Sequence, residues 1–247
     1  MGKSLSHAQT RHFSDAGFLC LRDVAPRELV ERAKAQLMQD LEQPSGPMNR
    51  TAEGVAYKMY GLLERDGAYE QIIKLPRLLD ALEDLLGADI VYTRNRHNHG
   101  SLNRAGENGS VVRLHRDVLR VGYISAVAYL EDTTIENGAT LVVPTSHRWP
   151  YASDHDGGMW LEHIEQHEYI GLADQAVPVL ARAGDVLLFE GLLFHAVADN
   201  TSGGTRASLV LGYRAVDELS GVNEQTECLV RGRDLYRGNI VVPGKPT

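Results

Sequence analysis

Two side chains that commonly bind metals stand one residue apart in the segment 114–117, which reads Leu-His-Arg-Asp. In a β-strand alternate side chains project to the same side, so His115 and Asp117 are expected to share a face. A third ligand candidate, His195, ends an apolar run that begins at Val186. Two neutral imidazoles and one carboxylate on a single face form the facial triad that holds non-haem Fe(II) with open positions.

An H-x-D pair alone is weak evidence for a metal site, because it occurs by chance in many proteins. An arginine downstream provides additional evidence. Arg206 opens the apolar run 206–213, and a guanidinium there is costly unless a carboxylate meets it. Ser208 is the next residue on the same face. An internal ion pair or a surface position would also explain Arg206. A dicarboxylate that chelates a metal at one end and meets Arg206 at the other explains both features.

The elements that must position these residues change in character along the chain. Helical spacing of apolar residues predicts helices over 26–42 and 66–86, the latter kinked or split at Pro76, after a short helix that opens at Ser6. Residues 48–65 are ambiguous. Strand-like runs are expected at 18–21, 89–97, 110–121, 122–130, 139–143, 177–180, 186–190, 193–199 and 206–216.

Helices followed by many short strands indicate a mainly β, α+β fold with a sandwich or barrel core. We expect a single domain over 1–247. Within it, 1–88 is a helical support layer, 89–216 is the core, 150–176 is a polar lid insertion, and 217–247 is a C-terminal extension.

The overall composition restricts the classes of binding partner that are expected. The net charge of −8 argues against nucleic acid, since phosphate binding needs a basic surface. Two distant cysteines imply no disulfide framework and fit a reducing cytoplasm. The first residues lack the apolar stretch of a signal peptide, and no run is long enough for a membrane span, so no membrane partner is expected. A small-molecule substrate is expected, and the oligomeric state stays open.

Three longer segments resemble a known family, the phytanoyl-CoA dioxygenases, which are Fe(II)/2-oxoglutarate-dependent oxygenases. They are the opening 13–24, the Glu-Asn-Gly…Pro-x-Ser-His signature within 129–148, and the distal block 183–206. Thr145 stands where glycine is usual in the signature, and Arg116 stands where glutamine is frequent. The resemblance covers nearly the whole chain in order, so it is far more specific than the triad.

This resemblance implies a double-stranded β-helix, the cupin-like jelly-roll. It also implies that His115, Asp117 and His195 bind iron and that Arg206 binds the distal carboxylate of 2-oxoglutarate. The implied reaction consumes O2, releases succinate and CO2, and hydroxylates an unactivated C–H bond. Related halogenases have Gly or Ala in place of the carboxylate, so Asp117 makes hydroxylation the default outcome. Desaturation or cyclisation would use the same residues.

Residues for the substrate are harder to choose. If the polar segment 91–99 is a strand, Asn95 and His97 lie on one face of it, where they could contact 2-oxoglutarate or an anionic group of the substrate. Alternatively, the segment is a solvent-exposed edge strand. Arg120, three residues after Asp117, is another candidate, and Trp160 lies in the expected lid. Together they favour a small polar metabolite, such as an amino acid or a natural-product intermediate.

Two other functions fit parts of the pattern. A non-catalytic jelly-roll could bind a metal or a small carboxylate as a sensor. A zinc hydrolase could use the same three ligands, but it would need a general base, for which Glu190 is the only obvious candidate, and it would not need Arg206.

Overall fold

The N-terminal part of the chain supplies the helices. The computed structural model describes residues 4–43, 46–65, 67–94, 96–106, 112–117, 122–149, 171, 173–218 and 227–234 of the 247. Its α-helices are α1 (His7–Ala16), α2 (Arg27–Glu42), α3 (Ala68–Ile73) and α4 (Pro76–Leu86). None of these helices is long and apolar enough to cross a membrane.

Helix boundaries follow local sequence signals. The Ser6 hydroxyl accepts from the Gln9 N–H, and the Gln9 side chain accepts from the Ser6 N–H, so the capping box that opens α1 is confirmed. Gly17 ends α1 in the left-handed region, at φ 85°. Pro76 begins α4 and separates it from α3, which confirms the split expected there, because proline suits a first helical turn and not a helix interior.

Thirteen strands are present in the described residues, all paired antiparallel. They are β1 (Phe18–Leu21), β2 (Met48–Arg50), β3 (Ala56–Tyr60), β4 (Ile90–Thr93), β5 (Asn98–Arg104), β6 (Val112–His115), β7 (Tyr123–Tyr129), β8 (Thr140–Val142), β9 (Val177–Val179), β10 (Val186–Glu190), β11 (His195–Val197), β12 (Thr205–Ala215) and β13 (Glu227–Arg231).

The strands form two sheets. The larger runs β1-β10-β7-β12-β5-β3-β2, with β4 paired to β12 and β13 paired to β4. The smaller runs β6-β11-β8-β9. This arrangement is the double-stranded β-helix, so the predicted mainly β jelly-roll with an N-terminal helical layer is confirmed.

The larger sheet is buried on both faces, which explains why strands such as β10 are apolar without alternation. On one face Leu188 and Leu209 belong to the core cluster that includes Leu37 of α2. On the other face Leu187 and Phe189 belong to a second cluster, inside the jelly-roll. The helices therefore cover the outer face of the sheet, and the inner face is left to line a cavity.

Several boundaries differ from those expected from sequence. The ambiguous stretch 48–65 contains the hairpin β2–β3, which joins the sheet through β5, and β13 adds a strand from the C-terminal region. The continuous strand expected over 91–99 is wrong: β4 stops at Thr93 and β5 starts at Asn98. The Arg96 carbonyl between them accepts from the hydroxyls of Thr93 and Tyr123, which closes a turn. Most of the expected lid, residues 150–170 and 172, lies outside the described residues, as do 219–226 and 235–247.

Candidate metal centre

Three ligand atoms converge beside the inner cavity, which His115 and His195 line. Strands β6 and β11 are neighbours, and their pairing sets His195 directly opposite His115, with the ring centroids 4.3 Å apart. Asp117 completes the group: its Oδ1 lies 3.7 Å from His115 Nε2 and 3.5 Å from His195 Nε2. One ligand atom from each residue lies within 4.8 Å of the other two. The structure therefore brings together the three residues expected from sequence.

The backbone conformation that positions Asp117 beside the two histidines differs from the one expected. Simple alternation along one strand over 110–121 is wrong for this residue, because β6 ends at His115 and Asp117 lies in the bend that follows. The bend is fixed by the Asp117 N–H, which donates to the Gly191 carbonyl at 2.9 Å. The Ser125 hydroxyl of β7 donates to Asp117 Oδ2 at 2.5 Å, which leaves Oδ1 facing the imidazoles.

The protonation states of the three groups suit a divalent cation. Burial lowers the pKa of His115 to about 3, and burial also lowers the pKa of His195. Burial by itself raises the pKa of Asp117, but the opposing influence of His97, the largest of those that lower it, holds this pKa well below its usual value. Two neutral imidazoles and one ionised carboxylate are the forms that bind metals.

Each imidazole is oriented by its other nitrogen. His115 Nδ1 donates to the Arg113 carbonyl at 2.8 Å, and His195 Nδ1 donates to the Leu193 carbonyl at 2.9 Å. Because a carbonyl can only accept, the proton of each neutral ring lies on Nδ1. The unprotonated Nε2 atoms then present their lone pairs to Asp117 Oδ1, and this is the tautomer required of a ligand.

Arg206 lines the same cavity from β12 and is almost fully buried, at 3% exposure. Its Nε has no hydrogen-bond partner, and no described carboxylate forms an ion pair with its guanidinium. The nearby carboxylate of Glu131 is engaged elsewhere: it pairs with Lys34 at 2.6 Å and accepts from the Ala207 N–H at 2.8 Å. Burial lowers the pKa of Arg206. A buried cation without an internal partner is what a site for a carboxylate ligand requires.

Hydroxyl groups and a second cation lie near Arg206. Ser208 lines the cavity as alternation along β12 predicts, and its hydroxyl is 3.2 Å from that of Ser101 on β5. Lys58 of β3 stands opposite Ser101 and also lines the cavity. Burial lowers the pKa of Lys58, while the charge of Asp117 opposes that shift. Sequence analysis missed Lys58, because its strand lies in the stretch without a clear period.

The remaining expected residues divide into two groups. His97 lines the cavity, and its Nε2 is 2.8 Å from Asp117 Oδ1. Asn95, Arg120 and Trp160 lie outside the described residues. Ser125 and His99 were not singled out from sequence. Ser125 could have been found as a hydroxyl side chain within the otherwise apolar run 124–128. His99 lines the cavity, and burial keeps its pKa well below the usual value.

Comparisons with solved structures agree with the fold described above. The epimerase SnoN, solved with Fe3+, alpha-ketoglutarate and nogalamycin RO, superimposes with a TM-score of 0.71 at 18% identity, over 91% of this chain and 98% of that chain. The alpha-ketoglutarate-dependent carbocyclase SnoK from nogalamycin biosynthesis gives a TM-score of 0.70 at 18% identity, over 87% of each chain.

Sequence comparisons identify the family. An uncharacterized protein of Mycobacterium tuberculosis is 37% identical over 100 residues, which is 38% of this chain. The match spans only 32% of that relative's length. The model of the phytanoyl-CoA dioxygenase (PhyH) family matches residues 13–208 and so includes all three converging ligand candidates and Arg206. The chain belongs to the phytanoyl-CoA dioxygenase family.

Proposed function

We propose that the protein is an Fe(II)- and 2-oxoglutarate-dependent dioxygenase that hydroxylates an unactivated C–H bond of a small polar metabolite. O2 is the second cosubstrate, and succinate and CO2 are released. The observation that carries this proposal is one cavity lined by His115, His195 and Arg206, with Asp117 within ligand distance of both histidines and no carboxylate partner for Arg206 among the described residues.

The donor set fits Fe(II). Two imidazole nitrogens and one carboxylate oxygen are the mixed ligands of the non-haem facial triad, and three protein ligands leave positions open for other molecules. Asp117 Oδ1 is buried without an aligned hydrogen-bond donor among the described residues, and two nitrogen lone pairs face it. A cation between these three atoms relieves that repulsion. We assign His115, Asp117 and His195 as the iron ligands.

The part of the cavity lined by Arg206 and Ser208 fits the distal carboxylate of 2-oxoglutarate. The guanidinium of Arg206 provides two parallel donors, and the hydroxyl of Ser208 adds a third. Lys58 contributes further positive charge to the same cavity, so an anion is favoured there. When bound together, iron and 2-oxoglutarate supply the oxidising power for C–H cleavage. The chain's own share is to bind and align both and to exclude water.

The substrate is proposed from the cavity wall. His97, Tyr57 and Lys58 offer polar groups, and Phe189 and Val127 offer an apolar surface. This mixture suits a small polar molecule, such as an amino acid or a natural-product intermediate, in a cytoplasmic enzyme. We retain Asn95, Arg120 and Trp160 as substrate candidates. Because the similar folds include an epimerase and a carbocyclase, cyclisation or desaturation is the alternative outcome of the same chemistry.

Two other functions receive less support. A zinc hydrolase needs a general base beside the metal, but Glu190 alternates with Phe189 on β10, and Phe189 is the residue that lines the cavity. Glu190 therefore faces away from the ligands. A non-catalytic carboxylate sensor would use the same site but would make no product.

The test is a metabolite screen with Fe(II), 2-oxoglutarate and O2, scored by substrate-dependent succinate release. Asp117→Ala is expected to abolish the release, because the site loses its charged ligand, while Asp199→Ala at an exposed position is the matched control. Mass spectrometry then separates hydroxylation, which adds one oxygen atom, from desaturation, which removes two hydrogens.

Succinate release that persists in Asp117→Ala would refute the proposed ligand set. Binding of 2-oxoglutarate without turnover of any candidate metabolite would support the sensor. Hydrolysis that needs no O2 and survives Arg206→Ala would support the hydrolase.

A further inference from the structure

A fourth histidine lies against the candidate ligand Asp117. His97 Nε2 is 2.8 Å from Asp117 Oδ1, which is closer than either His115 or His195. The contact has the distance of a hydrogen bond but is not aligned as one. Catalytic hydrogen bonds are often poorly aligned before ligands bind and tighten afterwards. A rotation of the His97 ring would direct its N–H at this oxygen.

The backbone of His97 is held in a costly conformation. Its φ is 54°, in the left-handed region that residues with a side chain rarely adopt. Such conformations are energetically unfavourable and persist where surrounding contacts impose them. Here the contacts are the hydroxyls of Thr93 and Tyr123 on the Arg96 carbonyl, and Asn98, whose amide donates to the Arg94 carbonyl at 3.2 Å.

Asp117 is held from the opposite side as well. Ser125 donates to Oδ2, so rotation of the carboxylate is limited from that side, while His97 is the neighbour of Oδ1. An oxygen that binds a metal through one lone pair can accept a hydrogen bond through another. Donors on both oxygens would fix the angle at which Oδ1 meets the metal.

We propose that His97 is a positioning residue: its Nε2–H donates to Asp117 Oδ1 and, opposite Ser125, orients this carboxylate toward the metal. The assignment rests on the proposed function, since it takes Asp117 as a metal ligand. It goes beyond the role first expected of His97, which was direct contact with 2-oxoglutarate or substrate. Groups that orient a metal ligand in this way typically change metal affinity or activity by about 10–100-fold when removed.

The experiment compares His97→Met with His97→Gln in the full chain. Both are unbranched side chains in the same left-handed backbone, so the conformational cost is common to the two, and only glutamine keeps an N–H donor. Affinity for Co(II) is measured by visible absorption without 2-oxoglutarate or substrate, so the readout does not depend on turnover. We expect His97→Met to weaken Co(II) binding by about 10–100-fold and His97→Gln to recover most of it.

Kinetics add a second readout. With an identified substrate, His97→Met is expected to lower kcat and leave the KM for 2-oxoglutarate unchanged, because Arg206 is untouched. Co(II) affinity equal to wild type in His97→Met would overturn the proposal while leaving the metal centre standing. Equal weakening in both variants would also overturn it, because the donor would then be irrelevant. Wild-type protein that binds no Co(II) would overturn the metal centre, and this role with it.

Discussion

Two arginines on β12, Arg206 and Arg214, are both almost fully buried, but their surroundings differ. Arg214 forms an ion pair with Glu227 of β13. Arg206 has no such partner among the described residues, and its Nε is unsatisfied. Removing one member of a buried pair leaves an uncompensated charge, whereas replacing an unpaired buried charge by an apolar group removes a desolvation cost. The two positions therefore respond to the same substitution in opposite ways.

We expect Arg206→Met to keep or raise the free energy of unfolding. The same variant should weaken 2-oxoglutarate binding by more than about 100-fold, because it removes a charge-assisted contact of about 3 kcal/mol. Arg214→Met, the matched control, should lower the free energy of unfolding by about 3–5 kcal/mol. Urea denaturation and calorimetric titration of 2-oxoglutarate with Ni(II) present measure both quantities. A loss of stability in Arg206→Met as large as in Arg214→Met would mean that Arg206 has a structural role instead.

Glu190 is a second ionisable side chain whose buried oxygen has no partner among the described residues, and it makes stability depend on pH. Burial raises its pKa from 4.5 to about 7, and no donor in the described part of the chain reaches its Oε2. Between these values the folded protein holds a proton that the unfolded chain has released. The free energy of unfolding must then fall as pH rises from about 4.5 to 7, by up to about 3 kcal/mol.

Glu190→Gln should remove this penalty. Relative to wild type, the variant should gain up to about 3 kcal/mol of stability at pH 8 and little at pH 4.5. Denaturant unfolding of both proteins at the two pH values provides the measurement. A difference that does not change with pH would show that the Glu190 carboxyl is not the group responsible.

At the scale of elements, antiparallel pairing accounts for most of the site. β11 lies between β6 and β8, so His195 meets His115 without any contribution from the loops. The Glu-Asn-Gly signature has an equally physical basis. Gly138 has φ 83°, and a Cβ there would lie 2.3 Å from the amide of Asn103, which lines the cavity beside Arg206, and 2.6 Å from the Ala198 carbonyl. Only glycine permits this approach.

Gly138→Ala is therefore expected to cost more than backbone strain alone. Gly54 supplies the control, because its φ is 86° and a Cβ there would meet nothing within 4 Å. We expect Gly54→Ala to lower the free energy of unfolding by about 1–2 kcal/mol, the cost of the left-handed backbone, and Gly138→Ala to add about 1–3 kcal/mol of steric cost. Thermal unfolding of both variants measures this. Equal losses would mean that the close packing at Gly138 is relieved without cost.

At the scale of the whole molecule, the fold class and most helices and strands could be predicted, because their signals are local. A few consecutive residues are enough to predict the cap at Ser6 and the helix break at Pro76. The same holds for the apolar runs that form β10 and β12. Lys58 could not be found in this way, since its place in the cavity depends on β3 pairing with β5. Its partner there is Ser101, which is 101 − 58 = 43 positions along the chain. His97 was singled out for the wrong geometric reason: the turn after Thr93, and not strand alternation, brings it to Asp117.

The thermal stability of the folded chain reports on the binding of both the metal and 2-oxoglutarate. A ligand that binds only the folded state at 100 times its Kd stabilises by about 2.7 kcal/mol. For a chain of this size each kcal/mol raises Tm by about 2–4 °C. Ni(II) permits the measurement without turnover. We expect Ni(II) to raise Tm, and 2-oxoglutarate to raise it further only when Ni(II) is present, because the two share one cavity and their coupling is reciprocal.

Two variants separate the two increments. Arg206→Met should keep the Ni(II) increment and lose that of 2-oxoglutarate, since its change lies at the carboxylate end of the cavity. His195→Ala should lose both, because without the metal the keto acid has no anchor at the other end. If 2-oxoglutarate raised Tm equally with and without Ni(II), or in His195→Ala, the dicarboxylate would not be bridging metal and guanidinium. The histidine pair and the arginine would then belong to separate sites.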